Sequence, residues 1–414
     1  MLGRVSLLRD HDFRRLFLAD TASQAGSQIL MLALPLVAVS ALRVSAFEVG
    51  LLAACQTLAF VVIGLPAGAI VDRLRKRVVM VVADWARAGA LASVPLAWWL
   101  DALTIHQLYA VALVLGVFTV FFDVAYQSYL PHLVGRERLV AGNSSLEVVR
   151  TVAQLGGPGA GGYLIQFLTA PFALAATVAG FAWSALCLGT IRKREAPQQA
   201  RRGHLGREIA EGVRFVLGNP LLRRIAACTA TSNLFAAMAQ PVILLLLARE
   251  LGLAAGTIGL LLAAGGVGGL AGALVNARIA RRLGQGPTMW LAIVLPAPLT
   301  FVVAWLEADW RLVLFVLYEF FVGAGVVVYN VTQVSFRQAI TPEPLLGRMN
   351  ATIRFLVWGT LPLGGLLGGV LGEVIGIRNT LLVAAVGACL AFLWLVTSPL
   401  RSMRELPVSS RTPR

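Results

Sequence analysis

The sequence predicts an all-α membrane protein, with twelve transmembrane helices arranged as two six-helix bundles related by a pseudo-twofold axis. Three observations predict it. Hydrophobic residues make up 58% of the 414-residue chain and charged residues only 13%, with a mean hydropathy of +0.79. That is too apolar for a soluble domain. Stretches long enough to cross a hydrocarbon core of ~30 Å recur along the whole length. The second half also repeats the first. Ala67-Gly68-Ala69-Ile70-Val71-Asp72 returns as Ala271-Gly272-Ala273-Leu274-Val275-Asn276. Gly157-Pro158-Gly159-Ala160-Gly161-Gly162 returns as Gly364-Gly365-Leu366-Leu367-Gly368-Gly369, and the same offset relates Asn143 to Asn350.

The expected spans are 14–40, 48–71, 78–100, 104–129, 143–167, 171–190, 223–248, 256–277, 288–306, 311–336, 348–371 and 379–398. Six per half is an even number, so both copies enter the membrane in the same orientation, as parallel repeats. The formal charge of +15 would suggest nucleic acid in a soluble chain, but its distribution is that of membrane topology. Arg73-Leu74-Arg75-Lys76-Arg77, Arg192-Lys193-Arg194, Arg201-Arg202 and Arg281-Arg282 all fall on one side. Arg43, Arg249, Arg311 and Arg378 fall on the other. The positive-inside rule then places both termini in the cytoplasm, and no nucleic-acid partner is needed. The first apolar stretch is too long for a cleaved signal and follows Arg9, Arg14 and Arg15, so it is expected to stay as a span.

The chain divides into an N-terminal six-helix bundle (1–190), a basic cytoplasmic linker (191–222), a C-terminal six-helix bundle (223–400) and a cytoplasmic tail (401–414). Within the linker Leu205, Ile209, Val213 and Val216 recur at helical spacing, which predicts an amphipathic helix on the cytoplasmic membrane surface. Cys55, Cys187, Cys228 and Cys389 sit singly in apolar stretches, as packing residues do. The histidines lie in loops or at span ends, so no metal or other cofactor is expected. The Asn143 and Asn350 sequons fall on the cytoplasmic side and are chance matches.

The loop Gly68-Ala69-Ile70-Val71-Asp72-Arg73-Leu74-Arg75-Lys76-Arg77 resembles the signature loop between the second and third spans of the major facilitator superfamily, departing at Arg75, where glycine is usual. The stretch Phe122-Asp123-Val124-Ala125, with Leu130-Pro131, Asn143-Ser144 and Gly157-Pro158, resembles the superfamily's drug, macrolide and enterobactin exporter branch. The resemblance implies alternating access, with Gly68, Asp72, Arg73, Arg75, Lys76 and Arg77 as a gating loop and spans one, four, seven and ten lining a central cavity. It implies export of an amphipathic small molecule in exchange for protons, from a bacterial inner membrane. The chain is expected to act as a monomer in the lipid bilayer.

The glycine run Gly157, Pro158, Gly161 and Gly162 formally matches a dinucleotide fingerprint, but no strand precedes it and it lies within a span. Small residues there serve close helix packing, with Pro158 bending the helix. Charges in the spans are costly facing lipid, about 2.5–3.5 kcal/mol at the bilayer centre even on the gentler scale. Asp84 with Arg87, and Glu147 with Arg150, stand one turn apart and can neutralise locally; Arg354 is a further cation for such pairs.

Asp20, Asp123 and Glu319 have no basic residue one turn away. Burial disfavours the charged form of a carboxylate, which makes these three the proton-coupling candidates. Each sits on a polar stripe. Asp20 shares a face with Gln24, Ser27 and Gln28, and Asp123 accompanies Thr119, Tyr126 and Gln127. Glu319 precedes Asn330 and Gln333 on the tenth span, and the seventh carries Thr229, Asn233 and Gln240. Proton-coupled uptake of a small metabolite is the alternative within the fold, and a non-transporting receptor or scaffold the alternative outside it. An enzyme is disfavoured, since no nucleophile, base and metal set converges in any span.

Overall fold

The computed structural model describes Leu7 and residues 9–135, 138–193, 205–342 and 345–404. Its helices follow the expected spans in order. They are α1 His11–Leu36, α2 Ala46–Val62, α3 Gly64–Arg73, α4 Lys76–Trp99, α5 Ile105–Val134, α6 Leu139–Leu168 and α7 Ala170–Gly189. After the linker helix α8 Leu205–Gly218 come α9 Pro220–Leu245, α10 Ala255–Leu283, α11 Gln285–Val294 and α12 Ala297–Val302. The chain continues as α13 Leu312–Ile340, α14 Leu346–Trp358, α15 Thr360–Val374, α16 Ile377–Leu390 and α17 Leu393–Val396. Among the described residues, 10 helical segments are long and apolar enough to cross a membrane. The two other expected spans have physical reasons for falling short. The second is broken between α2 and α3 at Ile63, and the fifth, α6, is diluted by Gln154, Gln166 and its glycine-proline run.

Local chemistry sets the helix ends. Asp10 accepts from the Asp12 and Phe13 amides at the start of α1. Ser45 and Glu48 form a reciprocal capping box on α2, at 3.3 and 2.7 Å, and Asn219 followed by Pro220 opens α9. Each satisfies amides that a helix start leaves unpaired. Gly135 stops α5 at φ +76°, a conformation that disfavours any side chain.

The chain forms two compact units, 1–201 with 247–263 and 202–246 with 264–414. Unit 1 centres on Phe13, Leu16, Met80, Tyr129, Leu130 and Leu188. Unit 2 has one core around Ile225, Cys228, Met289, Tyr329 and Phe336, and another around Leu222, Met349 and Ile353. The sequence repeat is also a repeat of structure. Pro35 and Pro241 each precede a π-helical turn, Val37–Ala41 and Leu246–Glu250, at the end of the first span of their half. A proline removes one backbone donor, and a π turn is one way to re-register the bonds around it.

The glycine runs dock alike. A Cβ on Gly157 would lie 2.5 Å from Gln28 Cβ, and one on Gly161 would lie 3.3 Å from Ile29 Cα on α1. Gly364 and Gly368 meet the Leu234 and Met238 carbonyls of α9. A Cβ on Gly162 would lie 3.0 Å from Gly259 Cα, within unit 1. Backbones this close leave no room for a side chain, which is how small residues fasten helices in lipid.

The linker helix packs one end of its apolar stripe on protein. Val216 is fully buried among Leu222, Ala226, Met349 and Ile353, and Gly212 sits against the Arg348 carbonyl of α14. Ile209 and Val213 of the same stripe are half-buried. Glu211 accepts from Arg348 at 2.7 Å on its exposed side.

Candidate functional site

Unit 1 holds a polar cluster built on α1 and α5. Asp20 is 4% exposed, with the Gln24 amide and the Tyr126 hydroxyl beside its carboxyl, and Arg150 and Asp123 are the charged groups whose fields reach it. Ser23 below it is buried, and Ser27 donates to the Ser23 carbonyl at 2.8 Å, so its hydroxyl is held along the helix. Tyr126 stacks on Phe122 at 6.0 Å, which fixes the ring whose hydroxyl reaches Asp20. Thr119 and Asp123 are half-buried and Gln127 exposed, while Gln28 packs on Gly157. The structure therefore brings Asp20, Gln24 and Tyr126 together from two helices, with Arg150 of a third near enough for its field to reach the carboxyl.

A second cluster is structural. Arg87 pairs with Asp84 on α4, and its guanidinium lies 4.5 Å from the Phe122 ring and 4.4 Å from the Phe181 ring. Phe181, on α7, was not legible from the sequence, since nothing local marks it as a partner of α4. Glu147 and Arg150, by contrast, are both exposed, and among the described residues no ion pair joins them. Arg354 lies over the Trp358 ring at 4.2 Å.

In the signature loop, Asp72 closes α3, and its side chain lies outside the described residues. Gly68 has open space where a Cβ would be, Arg73 and Arg75 are exposed, and Lys76 is buried. Arg77 donates to the Ile191 carbonyl and, at 3.0 Å, to that of Gly189. It thereby satisfies acceptors at the C-terminal end of α7, where a cation is favoured. In the repeated loop Asn276 takes the place of Asp72, is buried, and accepts from Thr332 Oγ1 at 3.1 Å.

In unit 2, Glu319 of α13 lies against the glycine face of α10, its carboxyl 2.8 Å from where a Cβ on Gly265 would stand. Thr229 and Tyr329 hydroxyls meet at 2.7 Å, and Gln333 donates to Asn330 at 3.5 Å. Thr229, Asn233 and Asn330 line one cavity of about 190 Å³, whereas Gln240 is exposed away from it. Arg249 was expected only as an outer-loop charge. It instead donates from Nη2 to the Val44 carbonyl at 2.7 Å, within unit 1. Among the described residues no group of His, Cys, Asp and Glu is arranged to hold a metal.

Ten apolar helical segments of spanning length among the described residues, with polar clusters on α1, α5, α9 and α13, are the architecture of a multi-pass membrane transporter of the major facilitator fold. The chain matches the transmembrane secretion effector family over residues 3–413 and belongs to it. It is 30% identical over 409 residues to the multidrug efflux pump Tap of Mycolicibacterium fortuitum, covering 96% of this chain and 97% of that protein. It is 28% identical over 350 residues to the enterobactin exporter EntS of Escherichia coli O1:K1 / APEC, covering 84% and 82%. Its fold is similar to that of a bacterial homologue of the iron transporter ferroportin, at a TM-score of 0.78 and 16% identity over 94% of this chain and 98% of that one. A variant of the nucleoside transporter NupG gives 0.77 and 15%, over 93% and 99%.

Proposed function

We propose that this protein exports an amphipathic small molecule, of drug, antibiotic or siderophore type, across a bacterial inner membrane in exchange for protons. It works by alternating access, as a monomer with both termini in the cytoplasm. The observation that carries the export reading is the match to the Tap efflux pump along nearly the whole of both chains, with the enterobactin exporter second. Proton exchange is supported by Asp20, a carboxyl buried in a span with a tyrosine hydroxyl and an amide beside it. A carboxylate so placed can gain and lose a proton while its neighbours hold its position.

The test is proton movement in proteoliposomes under an imposed pH gradient, during addition of a panel of amphiphiles. Compound-evoked proton flux opposite in direction to the compound supports antiport. Flux of both in the same direction would replace export with uptake by symport. Compound flux with no proton movement would remove the coupling.

A further inference from the structure

We propose that unit 2 carries a binding site of its own for an uncharged amphipathic molecule of one or two rings, seated in the open cavity bounded by α9, α11–α12, α13 and α16. The site does not rest on the export reading, and its residues belong to unit 2, those of the Asp20 cluster to unit 1.

The wall has two characters. On α9, Thr229, Ser232 and Asn233 fall on one helical face, and all three line the cavity. Ala385 and Ala388 of α16 line it with small side chains, and these leave the room. At about 190 Å³ the space is on the scale of cavities that accept a single aromatic molecule, an engineered one of about 150 Å³ binding benzene.

Its chemistry selects among such molecules. The polar lining consists of hydroxyl, amide and thiol groups, and none of the lining residues is Asp, Glu, Lys, Arg or His. A charged guest would lose its hydration with no counter-ion to meet it. An uncharged guest with a hydroxyl or carbonyl has a ready partner. The Ser232 hydroxyl is buried, and its neighbour is the Cys228 thiol, a weak hydrogen-bond partner. A thiol satisfies a hydroxyl poorly, and a ligand oxygen would be the stronger partner. The neighbouring Thr229 and Tyr329 hydroxyls already satisfy each other at 2.7 Å, so that part of the wall is pre-formed.

Cys389 is a reporter in the wall, its sulfur 3.8 Å from the Thr300 hydroxyl. With Cys55, Cys187 and Cys228 replaced by alanine, the full chain in nanodiscs is alkylated with N-ethylmaleimide. Three probes are compared: 2-naphthol, naphthalene and 2-naphthoate. At ten times its Kd, 2-naphthol should slow the reaction about tenfold, naphthalene far less, and 2-naphthoate not at all. Ser232→Ala should bring 2-naphthol down to the naphthalene level. Equal slowing by naphthalene and 2-naphthol would mean a space that any hydrocarbon fills, a lipid chain included, and would overturn the proposal, as would no slowing. Should the cysteine variant fail to fold or Cys389 fail to react, 2-naphthol binding to the otherwise unmodified protein is read by saturation-transfer NMR. Ala385→Phe, which fills the cavity, must then abolish it, and undiminished binding overturns the proposal.

Discussion

Asp84 and Arg87 form an ion pair one helical turn apart with 0% and 3% of their side chains exposed, and two aromatic rings from other helices enclose the cation. The pair ties α4 to α5 and α7, because Arg87 cannot leave Asp84 without also leaving Phe122 and Phe181.

Breaking this pair should be far more damaging than deleting it. Arg87→Met leaves a buried carboxyl unmatched and should cost about 3–5 kcal/mol, while the Asp84→Asn, Arg87→Met double variant, with no net charge to bury, should recover most of that. Thermal unfolding in detergent of the wild type, both single variants and the double variant gives the coupling energy. Equal destabilisation by the double variant would show that aromatic packing, not charge, carries the contact.

The glycine seam between α10 and α13 gives a second expectation. A Cβ on Gly268 would run into the Phe320 carbonyl, and one on Gly272 would stand 2.5 Å from that of Ala324. Gly268→Ala should therefore destabilise by roughly 1–3 kcal/mol through overpacking. Gly89→Ala on α4, with nothing within 4 Å of the new methyl, should be neutral within about 0.5 kcal/mol. Melting temperatures of the two variants in the same detergent decide it.

These contrasts also show what a linear reading could reach. Span order was legible because twenty apolar residues in a row admit few alternatives, and the repeat was legible because glycines and prolines at fixed spacing need no neighbours to be noticed. The Asp84–Arg87 pair was visible since its members share a helix. Phe181 and Arg249 were not, and of the unit 2 cavity only Thr229, Asn233 and Asn330 were, because the rest depends on which faces of separate helices meet. Val216 illustrates the same limit: an amphipathic stripe says that an apolar partner exists, not whether it is lipid or protein.

The docking of α8 should depend on its buried face more than on its charges. The Glu211–Arg348 pair is 50% and 34% exposed, and such pairs contribute about 0.2–1 kcal/mol. Glu211→Ala should leave amide hydrogen exchange over 205–218 nearly unchanged. Val216→Asp puts a charge where Met349 and Ile353 pack and should raise exchange across the whole helix. Uniform exchange in both variants would place the holding contacts elsewhere.

Asp20→Asn should separate substrate movement from proton movement. The amide keeps the size and most hydrogen bonds of the acid but cannot exchange a proton. It would sit, as Asp20 does, by Gln24 and Tyr126 and within the fields of Asp123 and Arg150. Because the amide is a permanent stand-in for the protonated acid, substrate counterflow at equal pH should survive. An inward proton gradient should no longer accelerate export, and the rate should be flat across the pH range in which wild type varies. Tyr126→Phe removes one neighbour without removing the acid, so it should shift that pH range and leave coupling intact. Transport measured in proteoliposomes at matched and opposed pH distinguishes these outcomes. If Asp20→Asn keeps the wild-type response to the gradient, the proton travels by another acid. Asp123 and Glu319 would then be the next to replace.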